Sequence, residues 1–149
     1  MVKAFYRIIS SFIPLEQIYA HCDVPCGIYD PKAAQIAAAT VLKMTQKMLD
    51  EKLPNLQSKD EMIAYQNAMA RYVLTKEEHA RKCKEELLIL WTDYFKLEHL
   101  ENSPDLHDKF WKAAKLCSAT KQKVSVEHAQ ELVSAVDLIA EIFIASKKG

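Results

Sequence analysis

Residues His21-Cys22-Asp23-Val24-Pro25-Cys26 place one imidazole and two thiols within six positions, a compact set of soft donors suited to a single transition metal. Only twenty residues precede His21, the last being Ala20. A cut between Ala20 and His21 turns the His21 nitrogen from an amide into a free amine, whose unperturbed pKa of about 7.7–8.0 lets a metal displace its proton at small cost near neutral pH. If the amine, the Cys22 amide nitrogen and the Cys22 sulfur all bind, they close adjoining chelate rings, and the Cys26 sulfur completes a square-planar set of two nitrogens and two sulfurs. That geometry favours Ni(II) or Cu(II), whereas zinc takes a tetrahedron. An ionised amide and two thiolates also put three negative charges around a divalent ion, which stabilises its higher oxidation state and makes it a one-electron redox centre. The His21 imidazole is available on one axial face, leaving the other open for substrate. Pro25 can turn the chain sharply, and Gly27 relaxes the exit. The same residues also fit half of a structural zinc site, completed by Cys83, Cys117 or other histidines, or a redox dithiol.

The elements that must carry this hook are helical. With 50% hydrophobic residues, two glycines and little β-branched alternation, the 149-residue chain is long enough for one core and reads as all-α. Asp30-Pro31 is an N-cap followed by proline at the first helical position. The stripe Ala33, Ala37, Val41, Met44 and Met48 then predicts a helix ending before Pro54. Ser58 and Glu61 form a capping box that opens a second helical region reaching to Phe95, and Thr75 with Glu78 repeats the pattern, marking a candidate break near Leu74. Cys83, Leu87, Leu90, Trp91 and Tyr94 form its inward face, with Lys76, Arg81, Lys84 and Glu85 on the others. After a connector over 96–102, Ser103-Pro104 caps a third helix with Leu106, Phe110, Ala113, Ala114 and Cys117 on one side. A loop near 120–124 leads to a last helix from Ser125, with Ala129, Leu132, Val133, Val136, Ile139, Ala140 and Phe143 inward and Lys147 and Lys148 at its C-terminal end. Short connections make neighbours antiparallel, so the expected architecture is an up-down-up-down four-helix bundle over 31–147, with the metal hook, 21–29, at its N-terminal end. Cys83 and Cys117, inside helices, are expected to be buried thiols, and Trp91 and Trp111 core or subunit contacts. His99, His107 and His128 join no metal-ligand spacing and read as surface or packing residues.

Residues 1–20 read as a leader removed on maturation, leaving 21–149 as the working domain. The leader is too short and too interrupted to span a membrane, and the expected compartment is the cytoplasm, with export as the alternative if it acts as a signal peptide. Twenty basic side chains balance twenty acidic ones without a long one-sign run, so neither nucleic acid nor a membrane surface is an expected partner.

The run His-Cys-x-x-Pro-Cys-Gly-x-Tyr-Asp-Pro, followed by Trp91-Thr92-Asp93-Tyr94-Phe95-Lys96, His99 and Pro104-Asp105-Leu106-His107, resembles the nickel superoxide dismutase family across most of 21–148. The resemblance implies dismutation of superoxide to oxygen and hydrogen peroxide, a nickel ion in each subunit, a homohexamer, and a maturation protease that exposes His21. It implies metal ligation by His21, Cys22 and Cys26, with Tyr29 guarding the open face and Asp23 and Lys96 near the site. Lys96 could attract the superoxide anion. Where many family members place a Glu and an Arg that hold the axial imidazole, this chain has Ala37 and His79, so His79 is the expected partner of the His21 ring, directly or through water. The alternatives are a non-enzymatic nickel-binding or assembly protein, and a dithiol redox protein that works without metal.

Overall fold

The first helix is set by its own entry residues. In the computed structural model, which describes residues 27–147, Asp30 Oδ1 accepts the Lys32 N–H at 2.8 Å and Pro31 already has helical dihedrals, its carbonyl accepting from Gln35. Asp30 is thus the cap and Pro31 the first helical residue, as the sequence requires. His21, Cys22, Asp23, the Val24-Pro25 bond, Cys26 and the leader lie outside the described residues.

Helix α1 spans Lys32–Asp50 and α2 spans Lys59–Ile89. The Ser58 hydroxyl accepts the Glu61 N–H, while the Glu61 carboxylate takes the Asn55 N–H in the preceding loop. Helix α2 runs through Leu74 and Thr75 without the break marked there. It passes into a π-helical turn, Leu90–Tyr94, followed by a short α3, Leu97–Asn102, then α4, Leu106–Gln122, and α5, Val126–Ser146. Every described element is helical. The cap of α4 is Asp105 rather than Ser103, because Ser103 is occupied in closing α3 with its N–H on His99 O. The 96–102 connector is therefore partly helical, and Thr120 belongs to α4 rather than to the following loop.

Helix α1 packs on α2 and α5, and α4 packs on the same two helices, so the four long helices close an up-down-up-down ring. The pairs Gln35 with Asp137, Lys76 with Thr120 and Trp91 with His107 mark the antiparallel neighbours. The core is Val41, Leu87, Leu90, Leu106, Phe110, Leu132, Val136, Ile139 and Phe143, packed with the small residues Ala34, Ala38, Ala80, Cys83, Ala113, Cys117 and Ala129. Two details depart from the sequence pattern. On α1 the buried line is Ala34, Ala37, Ala38, Val41 and Thr45, with Ala33, Met44 and Met48 at its margin. The helix faces two neighbours at once, and the Thr45 hydroxyl enters the core by bonding to Val41 O. Lys76, expected outside, is 2% exposed, and its ammonium donates to the carbonyls of Thr120, Lys121 and Lys123 at the end of α4. These include otherwise orphaned carbonyls of a helix terminus, where a cation is favoured.

Candidate metal centre and its cleft

The chain leaves the hook at Gly27, whose φ of +71° is the left-handed conformation that glycine adopts freely. An added Cβ would meet nothing within 4 Å there, so backbone conformation alone favours glycine. Two residues on, the Tyr29 ring packs against Tyr94 at 5.5 Å and the Tyr29 carbonyl accepts from Lys147 Nζ at 3.1 Å. The start of the described chain is thereby tied to the π-helical turn that follows α2 and to the end of α5.

The opposite wall is made by the π-helical turn. Phe95 N–H donates to Leu90 O, a wider loop than an α-turn, and Phe95 and Lys96 then adopt extended dihedrals. Such widened turns recur at functional sites because they re-aim side chains at a helix end. Here Tyr94 lies at the centre of an aromatic group, 4.5 Å from Phe143, 4.9 Å from Phe95 and stacked on His99 at 5.6 Å. Its hydroxyl bonds the Ser146 hydroxyl at 2.7 Å. His99 Nδ1 accepts the Lys96 N–H at 2.9 Å, which leaves the ring proton of neutral His99 on Nε2 and fixes the backbone at Lys96.

Between these walls lies a cleft of about 290 Å³ lined by Gly27, Tyr29, Asp93, Tyr94, Lys96, Glu98 and His99. A larger hollow of about 540 Å³ lies behind the same Glu98 and His99, bounded by Asn102, Ile142 and Ser146. The cleft brings together two of the expected site residues, Tyr29 and Lys96, beside the exit of the hook. Its charge is mixed. The exposed Lys96 shares the cleft with Glu98 and with Asp93, whose carboxylate accepts from the Thr92 hydroxyl. Asp23 lies outside the described residues and is not placed.

No group of three or more His, Cys, Asp or Glu side chains capable of holding a metal exists among the described residues. Cys83 and Cys117 are both fully buried in the core and unavailable to complete a zinc tetrahedron. The remaining thiols are those of Cys22 and Cys26, which with His21 lie outside the described residues. The profile of the nickel-containing superoxide dismutases matches residues 16–147. This chain belongs to that family. It is 34% identical over 137 residues, 92% of this chain and 95% of the relative, to proteins named superoxide dismutase [Ni] from Streptomyces seoulensis and from Streptomyces coelicolor. A solved native nickel superoxide dismutase superposes with a TM-score of 0.74 at 32% identity, covering 87% of this chain and all of the other.

Within the family pattern, Ala37 is in the core and has no polar group to offer. His79 is half-buried on α2 with Nδ1 donating to Thr75 O at 2.9 Å, so Nε2 of the neutral ring carries the lone pair. Tyr94 and His99 are the residues whose roles sequence reasoning missed. Tyr94 is legible only as an inward position, and the one trace of His99's role is its place three residues after Lys96, where a side chain can reach back to a helix's first N–H. Trp91 is half-buried, stacked on Phe110 and bonded to His107, whereas Trp111 is 54% exposed and no part of the core.

Proposed function

We infer that His21, Cys22 and Cys26 hold the nickel ion of this superoxide dismutase, one per subunit, at the mouth of the cleft where Gly27, Tyr29 and Lys96 meet. The observation that carries this reading is that junction. Cys26 is one peptide bond before Gly27, and Gly27 shares its cleft with both Tyr29 and Lys96. Bound nickel supplies one-electron exchange, taking an electron from one superoxide and giving it to a second. The protein's part is to bring in the anion and to control its protons. Lys96 attracts superoxide past Asp93 and Glu98; Tyr29, held by Tyr94 and Lys147, narrows the open face and presents its phenol to the anion or to an ordered water. Asp23 acts from within the hook.

Cleavage after Ala20 by a maturation protease supplies the amine ligand. The solved native relative is covered completely by 87% of this chain, so that relative is shorter by about the length of the leader. Assembly to a homohexamer is supported by the apolar side chains exposed along the end of α1, the following loop and the first half of α2, among them Leu49, Leu53, Leu56, Ile63 and Leu74. His79, whose Nε2 lone pair can accept from the His21 ring directly or through water, holds that imidazole. The unbonded thiol pair Cys83 and Cys117 is in keeping with a reducing compartment, the cytoplasm.

The test is a chain beginning at His21, loaded with nickel, beside one that keeps Ala20. The first is expected to show thiolate-to-nickel absorption and to consume superoxide, the second neither. Tight nickel binding without turnover would establish a carrier, and thiol exchange without metal a dithiol enzyme.

A further inference from the structure

The dismutase reaction uses two of the four thiols and leaves Cys83 and Cys117 without a part. They lie opposite each other where α2 and α4 pack, each at 0% exposure, within a seam of small residues. Ala80 and Cys83 on one helix face Ala113 and Cys117 on the other, all fully buried, and side chains of this size let two backbones approach closely. Lys84 Nζ donates to Ser118 Oγ and Lys76 Nζ to Thr120 O on either side of the pair, which sets the register of the seam. The neighbouring Cys83 thiol and the ammonium groups of Lys84 and Lys121 push the Cys117 thiol down, while Cys117 and burial push Cys83 up. The two sulfurs are therefore differentiated, one as nucleophile and one as resolving thiol.

We propose that Cys83 and Cys117 are a peroxide-oxidisable dithiol, converted into a disulfide that staples α2 to α4. The oxidant is hydrogen peroxide, and its local source rests on the reading of this chain as a dismutase. The Cys117 thiolate attacks one peroxide oxygen; the O–O bond breaks, and the departing hydroxide takes up the proton that the thiol released, giving one water and a sulfenic acid. The Cys83 sulfur then attacks the Cys117 sulfur, the S–O bond breaks, and the oxygen leaves with the Cys83 proton as a second water. Two thiols lose two electrons and one peroxide becomes two waters. Because both sulfurs are sealed in the core, peroxide reaches them only when the α2–α4 seam opens. Oxidation is thus slow and cumulative, recording exposure to the product rather than following it turn by turn.

The experiment treats the mature, nickel-loaded protein with reagent hydrogen peroxide, blocks remaining thiols with an alkylating agent under denaturing conditions, and maps the peptides. A peptide pair joined through Cys83 and Cys117 is expected to accumulate until the free-thiol signal of both residues is lost, and to revert with reductant. In Cys83→Ala, a sulfenic acid trapped by dimedone is expected at Cys117, and in Cys117→Ala none at Cys83. Full alkylation of both core thiols at a dose that has already oxidised Cys22 or Cys26 would overturn the proposal, as would mixed disulfides between core and hook. Reagent peroxide separates the two readings: a protein that forms the cross-link but never consumes superoxide refutes the dismutase reading alone, and an active one without the cross-link refutes the dithiol.

Discussion

Replacing Lys76 by Met keeps an unbranched apolar stem out to Cε and removes the ammonium, which makes the buried bonds to α4 measurable. The shortest, 2.6 Å to Thr120 O, lies in the core where no water can replace it, whereas the acceptors at Lys121 and Lys123 are nearer the surface. Losing one charge-assisted bond to a carbonyl that stays buried costs about 2–3 kcal/mol, the lost attraction to the helix end adds roughly 0.5–1 kcal/mol, and relief of the desolvated charge returns a similar amount. The net loss is about 2–3 kcal/mol. With roughly 0.3 kcal/mol/K of unfolding entropy for a domain of this length, that is a fall in Tm of about 7–10 °C, read by calorimetry on nickel-loaded protein at one fixed subunit concentration. The pH dependence carries a second signature. Burial holds the Lys76 amine below the ordinary lysine range, so between its folded value and the free-chain value of about 10.4 the unfolded state binds more protons, and stability from this group rises with pH. Lys76→Met lacks that rise. A Tm within about 2 °C of the parent, or an unchanged slope toward alkaline pH, would refute the idea that this lysine ties α2 to α4.

Lys96→Gln removes the ammonium of the cleft and leaves Asp93 and Glu98, so kcat/KM for superoxide is expected to fall roughly 3–10-fold with a flattened or inverted dependence on ionic strength; pulse radiolysis across a salt series measures both. Gly27→Ala forces a side chain into a left-handed conformation at about 1–2 kcal/mol, and nickel affinity is expected to weaken about 5–30-fold while the Tm of the bundle without nickel holds. Titration calorimetry beside a melt separates the two effects. The Cys83–Cys117 disulfide closes a loop between α2 and α4 and is expected to raise Tm by on the order of 10 °C over the reduced protein, by calorimetry with and without reductant.

Features decided by near neighbours along the chain are legible from residue type and spacing. Asp30 caps α1 and Pro31 opens it because both effects act within one turn, and Ser58 with Glu61 starts α2 for the same reason. The same local rule misleads at Thr75, where the cap pattern recurs but α2 continues, since Lys76 and Ala80 have partners on other helices that outweigh a local alternative. Lys76 itself gives no sign of its burial. A lysine defaults to solvent, and only the arrival of the α4 carbonyls beside it makes the interior favourable. The α1 stripe is rotated by about one residue from the expected line because the buried face of a helix wedged between two others is centred between them, and alanines give little contrast for locating that centre. The π-turn over 90–94 leaves no pattern of its own, so the placement of Tyr94 and His99 around Lys96 emerges only in the folded chain, whereas the candidate donors of the hook are read from residue type and spacing alone.

The sealing of Cys83 and Cys117 in the core bears on maturation as well as on redox chemistry. Residues 1–20, the proposed leader, contain neither His nor Cys, and no metal-binding trio exists among the described residues, so the thiols left for the ion are those of Cys22 and Cys26. If Cys22 and Cys26 hold the ion, nitrogen donors would have to join them, and the backbone nitrogens of His21 and Cys22 are nearest along the chain. A peptide nitrogen that still carries the Ala20 acyl group is a poor ligand with its lone pair delocalised into the carbonyl, while the same nitrogen as an amine binds readily. If residues 1–20 are removed as proposed, that cut is a step of metal-site assembly, and the single peptide bond from Cys26 to Gly27 would keep the site beside the cleft that Tyr29 and Lys96 line.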